Sequence, residues 1–454
     1  MGEKNNVEKI KKRRTLGQTQ FIAVGFFVLI MTGTLLLMLP FSSRDRQSMD
    51  FLGALFTATS ASCVTGLVVA DTWTQWSLFG QIVIITMIQI GGLGFITIGV
   101  YVSILLRRRI GLKMRGLMQE STSALNIGGI VRLAKKIIVG TAIFEGGGAL
   151  LLSIRFIPQY GFFRGVFYSV FHAISAFCNA GFDLMGHEQP YNSLSAYYDD
   201  WLVNLVIMSL IIIGGIGFVV WDDLSKKKLN VRKYLLQTKI VLLTTGVLVF
   251  GGAGIFYLLE KDLLMADMSV SGKILSSLFS SVTARTAGFN SIDTGALSDG
   301  SKFLTMILMF IGGSPGSTAG GIKTTTIVVL FLFVNSSIRR TYGVNVFGRR
   351  LDEEAVKQAS SVLTINLFLA LFVSLVIMGV QHLPLSDTLF ETFSAIGTAG
   401  MTTGVTRDLV PLSKFLIILL MYCGRIGSMS FALSFTQQKR ITRVQNPLES
   451  ISVG

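Results

Sequence analysis

Four short stretches of this chain align without a gap: FTATSASCVTGL (56–67), FHAISAFCNAGF (171–182), LFSSVTARTAGF (278–289) and FETFSAIGTAGM (390–401). Each opens on a large apolar residue, Phe56, Phe171, Leu278 or Phe390. Each then reaches a glycine, Gly66, Gly181, Gly288 or Gly400, followed by Leu67, Phe182, Phe289 or Met401. The glycines lie 115, 107 and 112 residues apart. Self-similarity at a fixed period means one supersecondary unit copied along the chain. The fold must therefore bring four equivalent segments into equivalent places.

The medium around them is apolar. Of 454 residues 51% are hydrophobic and 14% charged, with mean hydropathy +0.62. A soluble protein carries about 25% charged residues, so the composition indicates an integral membrane protein. A crossing needs about 20 apolar residues. Eight such spans are expected, near 19–40, 77–106, 135–157, 200–221, 238–259, 303–335, 359–381 and 413–435. Between the members of each pair lies a shorter segment, 51–63, 165–178, 273–285 or 385–397. These are too short to cross and suit re-entrant half-helices, which survive at membrane depth only inside protein or beside a watery cavity. The first span is too long for a signal-peptide core, and no small-residue cleavage site follows it. The expected units are a basic N-terminus (1–18), repeats at 19–115, 116–233, 234–350 and 351–436, and a tail (437–454).

Lysine and arginine set the expected orientation. Segments 1–18, 107–136, 222–240, 339–357 and 436–454 hold 28 of the chain's 40 basic residues. All five fall on one side of an eight-span protein, so that side is cytoplasmic and both termini are inside, in a plasma membrane. The net charge of +15 follows from this topology and from anionic headgroups. Basic residues spread over five loops do not suit nucleic acid. Cys63, Cys178 and Cys423, with scattered His172, His187 and His382, form neither a disulfide framework nor a transition-metal pattern. The cysteines read as buried packing residues.

The second spans repeat as well: IGGLGF (90–95), IGGIGF (213–218), IGGSPG (311–316) and CGRIGS (423–428). Small residues let helices approach closely, and the first two patches read as packing. The third opens the stretch GGSPGSTAGGIKTTT (312–326). It is not a nucleotide-binding loop, because Ile322 stands where the lysine must be and Lys323 comes one residue late. Pro315 removes a backbone donor and clashes with the preceding turn, so this span is expected to break at membrane depth.

Four copies of span, half-helix, loop and span give an all-α integral membrane protein. Its four fused helix–pore-loop–helix repeats, eight transmembrane helices plus four re-entrant half-helices, surround one pseudo-fourfold pore. The half-helices aim their partially negative C-termini at one axis. The glycine loops then present carbonyls able to replace a cation's hydration shell. On VTGL (64–67), NAGF (179–182), TARTAGFN (283–290), GTAGM (397–401), the broken third-repeat span and Arg425, the chain resembles the Trk/Ktr/HKT superfamily of cation transporters, most of all the bacterial Ktr membrane subunit.

The resemblance implies a selectivity filter built from Val64, Thr65, Gly66 and Leu67, from Asn179, Ala180, Gly181 and Phe182, from Thr286, Ala287, Gly288 and Phe289, and from Thr398, Ala399, Gly400 and Met401. Glycine at all four filter positions goes with potassium. The loop Gly312, Gly313, Ser314, Pro315, Gly316, Ser317, Thr318, Ala319, Gly320, Gly321 with Lys323 becomes a gate, and Arg425 its partner through the loop's carbonyls. A kink that never moves is the alternative for the loop, an anchor for Arg425, and snorkelling for Lys323. No cofactor is expected; K⁺ is the transported ion, with Na⁺ open as a coupling or activating ion. The resemblance also implies a homodimer, its tail NPLESISVG (446–454) at the interface, seated on a cytosolic nucleotide-binding ring.

Other residues carry paired readings. Arg285 caps its half-helix or tunes the ions. Glu145 is an interhelical partner or a proton or sodium site. Asp71, Asp183 and Asp293 concentrate cations at the mouth or are loop residues. Rival functions are a sodium-selective or Na⁺/K⁺ co-transporting protein of the same architecture, an intramembrane hydrolase, and a scaffold. No nucleophile–base or paired-aspartate set supports the hydrolase. A scaffold gives the loops no reason to agree in register.

Overall fold

The computed structural model describes residues 17–428, apart from 108–109, 123–127, 188, 229 and 342, together with 447 and 449. Nearly all of the basic N-terminus, the end of the eighth expected span and the tail expected at a dimer interface lie outside the described residues.

The first unit comprises α1 (Gln18–Leu37), the half-helix α2 (Phe51–Cys63), a single turn α3 (Thr72–Gln75), α4 (Leu78–Leu93) and α5 (Phe95–Leu105). After α6 (Leu112–Thr122), the second has α7 (Ile130–Tyr160), the half-helix α8 (Phe162–Phe177), α9 (Trp201–Gly215) and α10 (Phe218–Lys227). The third has α11 (Leu236–Glu260), the half-helix α12 (Val270–Thr283), α13 (Asp299–Phe310) and α14 (Thr324–Ile338). The fourth has α15 (Glu353–Gln381), the half-helix α16 (Leu385–Gly397) and α17 (Pro411–Ile426). A two-stranded hairpin, β1 (Asn345–Val346) and β2 (Arg349–Arg350), links the last two units.

Side-chain caps start several helices by accepting otherwise orphaned backbone donors. Asp50 takes the Gly53 N–H at 3.0 Å for α2, and Ser269 takes that of Gly272 at 2.9 Å for α12. Asp200 does the same for α9 through Val203 at 3.1 Å, and its other oxygen accepts from Arg155 Nε at 2.8 Å.

The first helix of each unit, α1, α7, α11 or α15, is long and apolar enough to cross a bilayer by itself. The second spans are interrupted. The pairs α4–α5 and α9–α10 pass the same test jointly but bend by 91° and 95°. This corrects the expectation that only the third repeat breaks. Each bend sits on the last glycine of its patch, Gly94 (φ +80°) and Gly217 (φ +97°); Gly427 (φ +94°) ends α17 likewise. Positive φ is cheap only for glycine. The patches therefore turn the chain as well as pack it.

The earlier glycines of the patches are where spans meet half-helices. A Cβ at Gly91 would collide with the Ser62 carbonyl, at Gly214 with that of Phe177, and at Gly424 with that of Ile396. Half-helix α2 packs between α4 and α17, α8 between α9 and α4, and α16 between α17 and α13, while α12 touches α9 of the preceding unit. Each half-helix therefore leans on the preceding repeat, and the order closes on itself.

Gly214→Ala forces α9 away from α8 and is expected to destabilise the protein by about 1–3 kcal/mol, the cost of overpacking. Gly254→Ala, in α11 with nothing within 4 Å of its added carbon, is expected to be neutral or slightly stabilising. Thermal unfolding of the two variants in detergent checks the pair; equal melting temperatures would remove the close packing.

Candidate functional site

The four loops meet. A Cβ on Gly66 would lie 2.6 Å from the Ala180 carbonyl oxygen, and one on Gly181 2.7 Å from that of Ala287. One on Gly288 would lie 2.8 Å from that of Ala399, and one on Gly400 closer still to that of Thr65. The contacts run from the first repeat through the second, third and fourth back to the first. No side chain fits anywhere in this ring. All four glycines have positive φ, and so do the residues two before them: Val64 (+57°), Asn179 (+58°), Thr286 (+67°) and Thr398 (+52°).

The ring's N–H groups point back to their own half-helices. Thr65 N donates to Ser60 O (2.8 Å), Ala180 N to Ser175 O (2.8 Å), Ala287 N to Thr283 O (2.9 Å) and Ala399 N to Ser394 O (2.8 Å). Gly66 N donates to the Ser60 hydroxyl at 3.0 Å. Hydroxyls fix the outer carbonyls: Ser175 Oγ donates to Phe182 O (2.7 Å) and Thr283 Oγ1 to Phe289 O (2.6 Å). The carbonyls of Thr65, Ala180, Ala287 and Ala399 accept no hydrogen bond from a described residue. At the residue before each glycine the donor is consumed and the acceptor left over, at the negative ends of four helix dipoles. Among the described residues the hydroxyls of Thr65, Thr286 and Thr398 are buried without partners. Such a surplus of oxygen suits a cation. Leu67, Phe182, Phe289 and Met401, the residues after the four glycines, are buried.

Residues 311–323 fill the space on one side of the ring. Gly320 lies against Thr398, Gly321 against Gly397 and Gly312 against Thr286. Thr318 Oγ1 donates to Phe177 O at 3.1 Å and to Asn179 Oδ1 at 3.0 Å. The bend in the second repeat fastens this loop: Ser314 N donates to Gly215 O (3.0 Å), Thr318 N to Gly214 O (3.3 Å) and Phe218 N to Gly316 O (2.8 Å). Arg425 donates to the Thr318 carbonyl of the loop and to the carbonyls of Gly91 and, at 3.0 Å, Gly92 in the first repeat. It stands in α17 where the sister patches have Gly92, Gly215 and Gly313. Lys323 does not snorkel away; its Nζ donates to Ala319 O (2.8 Å) and Gly320 O (3.1 Å). Water-accessible space lies on both sides of the ring and loop, a mouth of about 440 Å³ and a smaller cavity of about 210 Å³ bordered by Arg425, Lys323 and Glu120.

The family model for TrkH, described as a cation transport protein, matches residues 4–443. The chain belongs to this family. It is a multi-pass membrane transporter, not an enzyme. The Ktr system potassium uptake protein B of Bacillus subtilis is 41% identical over 440 residues, spanning 96% of this chain and 97% of the relative. The potassium/sodium uptake protein NtpJ of Enterococcus hirae is 38% identical over 455 residues, spanning 99% and 100%. The crystal structure of the potassium transporter TrkH from Vibrio parahaemolyticus superposes with a TM-score of 0.73 at 18% identity, covering 94% of this chain and 86% of that one, and shares the fold.

Within this TrkH-family fold the remaining sequence candidates fall as follows. Asp71, Asp183 and Asp293 all line the mouth, together with Arg407. Asp71 also accepts three backbone donors, from Trp73, Thr74 and Tyr191, so it holds the rim together. Glu145 accepts from Gln89 Nε2 at 3.1 Å, an interhelical contact between α7 and α4. Cys178 does more than pack: its Sγ lies 3.4 Å from Gln89 Oε1. Arg285 does not cap α12. It is buried, and among the described residues its Nε has no partner and its side chain makes no hydrogen bond to that helix; only its backbone N–H does, to Val282 O at 3.2 Å. Sequence reasoning missed Ser60, Ser175 and Thr283 as supports of the ring. The serine recurring at the fifth position of three aligned segments was the available signal.

Charge-assisted hydrogen bonds contribute about 1.5–3 kcal/mol each. Arg425→Ala is therefore expected to speed backbone hydrogen exchange across 314–321 by at least about tenfold. Exchange mass spectrometry on the folded variant checks this; unchanged protection would show that Arg425 does not hold the loop.

Proposed function

We propose that this chain takes up potassium across the plasma membrane through the axis of the four loops. The observation that carries the reading is the ring itself: four glycine backbones in mutual contact, preceded by Thr65, Ala180, Ala287 and Ala399, whose donors turn away and whose carbonyls stay unpaired. Carbonyl oxygens compensate a dehydrated monovalent cation. The filter residues are then Val64 to Leu67, Asn179 to Phe182, Thr286 to Phe289 and Thr398 to Met401. Two relatives that span nearly the whole chain are named for potassium uptake. Loop 312–321 with Lys323 is the gate, and Arg425 holds it shut by tying the first, third and fourth repeats together. On the positive-inside reading of the basic loops both termini are cytoplasmic, and the 440 Å³ cavity is then the outer mouth. By family resemblance the chain works as a homodimer on a cytosolic nucleotide-binding partner. The name of the Enterococcus relative, a potassium/sodium uptake protein, favours Na⁺ as a second ion, coupled or activating.

Ion flux into proteoliposomes tests the proposal. Deleting Ser314–Gly320 is expected to raise K⁺ flux, and unchanged or lost flux in a folded variant would leave the loop a fixed kink. Gly66→Ser places a side chain at φ +93° against the Ala180 carbonyl. It is expected to lower K⁺ over Na⁺ discrimination by about tenfold, the effect of ~1.4 kcal/mol. An unaltered ratio would take Gly66 out of the filter.

A further inference from the structure

Helix α7 and the bent pair α9–α10 enclose a groove of about 810 Å³ that neither ring nor loop uses. Its walls are apolar, and Val139 and Ile143 on α7 are 49% and 64% exposed along it. Its floor is aromatic. The Trp221 ring packs against Phe144 and Phe218, both with centroids 5.2 Å away, and its Nε1 donates to Ile213 O at 2.9 Å. One end is basic. Arg132, Lys135 and Lys136 line it from the first turns of α7, and all three are exposed. Lys136 pairs with Asp222 at 2.7 Å, and Lys226 meets the same carboxylate. Among the described residues, Arg132 and Lys135 have no carboxylate partner.

From Arg132 to Phe144 the helix rises about 18 Å, so the groove runs from the basic end well into the apolar depth. A site with two free cations at one end and an apolar trough beneath them fits one molecule of the surroundings. We propose that it binds an anionic glycerophospholipid of the cytoplasmic leaflet, phosphate at Arg132 and Lys135, acyl chain along Val139, Ile143 and Trp221. Basic pockets between membrane helices on the cytoplasmic side recognise anionic headgroups in this way. The orientation used here is the one proposed above; the groove's own geometry does not depend on it. The bound chain lies beside Ile213 and Phe218. These residues flank the Gly214–Gly217 backbone that fastens loop 311–323.

Native mass spectrometry of the full chain, released from micelles holding equal phosphatidylglycerol and phosphatidylcholine, tests the proposal without any flux measurement. Wild type is expected to retain phosphatidylglycerol in preference. Arg132→Gln with Lys135→Gln is expected to lower retention by about tenfold or more, at about 1 kcal/mol for each basic residue. Val139→Trp, which fills the trough and keeps the charges, is expected to lower it as well. Arg339→Gln with Arg340→Gln removes two exposed charges elsewhere on that side and is expected to change nothing. Equal retention of the two lipids by wild type would overturn the proposal, and so would equal losses in both double variants. Loss of a dimer peak in place of a lipid peak would assign the groove to a second copy of the chain.

Discussion

The N–H groups of the residues just before the four glycines are turned into their own half-helices, and most of the architecture follows from that. Once Thr65, Ala180, Ala287 and Ala399 spend their donors on residues of the preceding helical turn, their carbonyls must face something other than protein donors. Four helix C-termini add partial negative charge at the same place. Buried unpaired oxygens are costly in low dielectric, a cost that a cation at the axis would offset. The glycines are required because adjacent backbones touch, so any side chain would displace a carbonyl from the ring.

Four backbones can converge only if the helices around them stop short or bend. The half-helices stop at the ring, and the second spans turn beside or beneath it. Gly94 and Gly217 make two of those turns, and Gly427 ends α17 at positive φ. The third repeat departs furthest, with residues 311–323 crossing beneath the ring between α13 and α14. Backbone exposed by such breaks must find partners at membrane depth. Gly214 and Gly215 supply carbonyls to the loop, and Arg425 supplies donors to the loop and to the first repeat at once. A guanidinium suits this position because it offers five donors and no acceptor.

Much of this was legible in the sequence. The gapless alignment located the half-helices, and α2 and α16 have the expected limits. The alignment also singled out the four glycines that meet. The bends at Gly94 and Gly217 were not legible. A run such as IGGLGF serves helix packing and helix breaking equally well, and only the neighbouring carbonyls decide between them. The left-handed Val64 and Thr398 were hidden for a related reason: residues with side chains adopt that conformation only when the surroundings compel it. Arg285 looked like a helix cap from its position, but its side chain does not reach the carbonyls of α12. Lys323 looked able to snorkel because hydropathy does not see the loop carbonyls it binds.

Crystals grown in rubidium, with anomalous diffraction recorded at the rubidium edge, would test the central claim most directly. The account predicts a peak on the axis, bounded by the carbonyls of Thr65, Ala180, Ala287 and Ala399, that excess potassium removes and equal sodium leaves in place. No peak at the ring, with rubidium bound elsewhere, would contradict it.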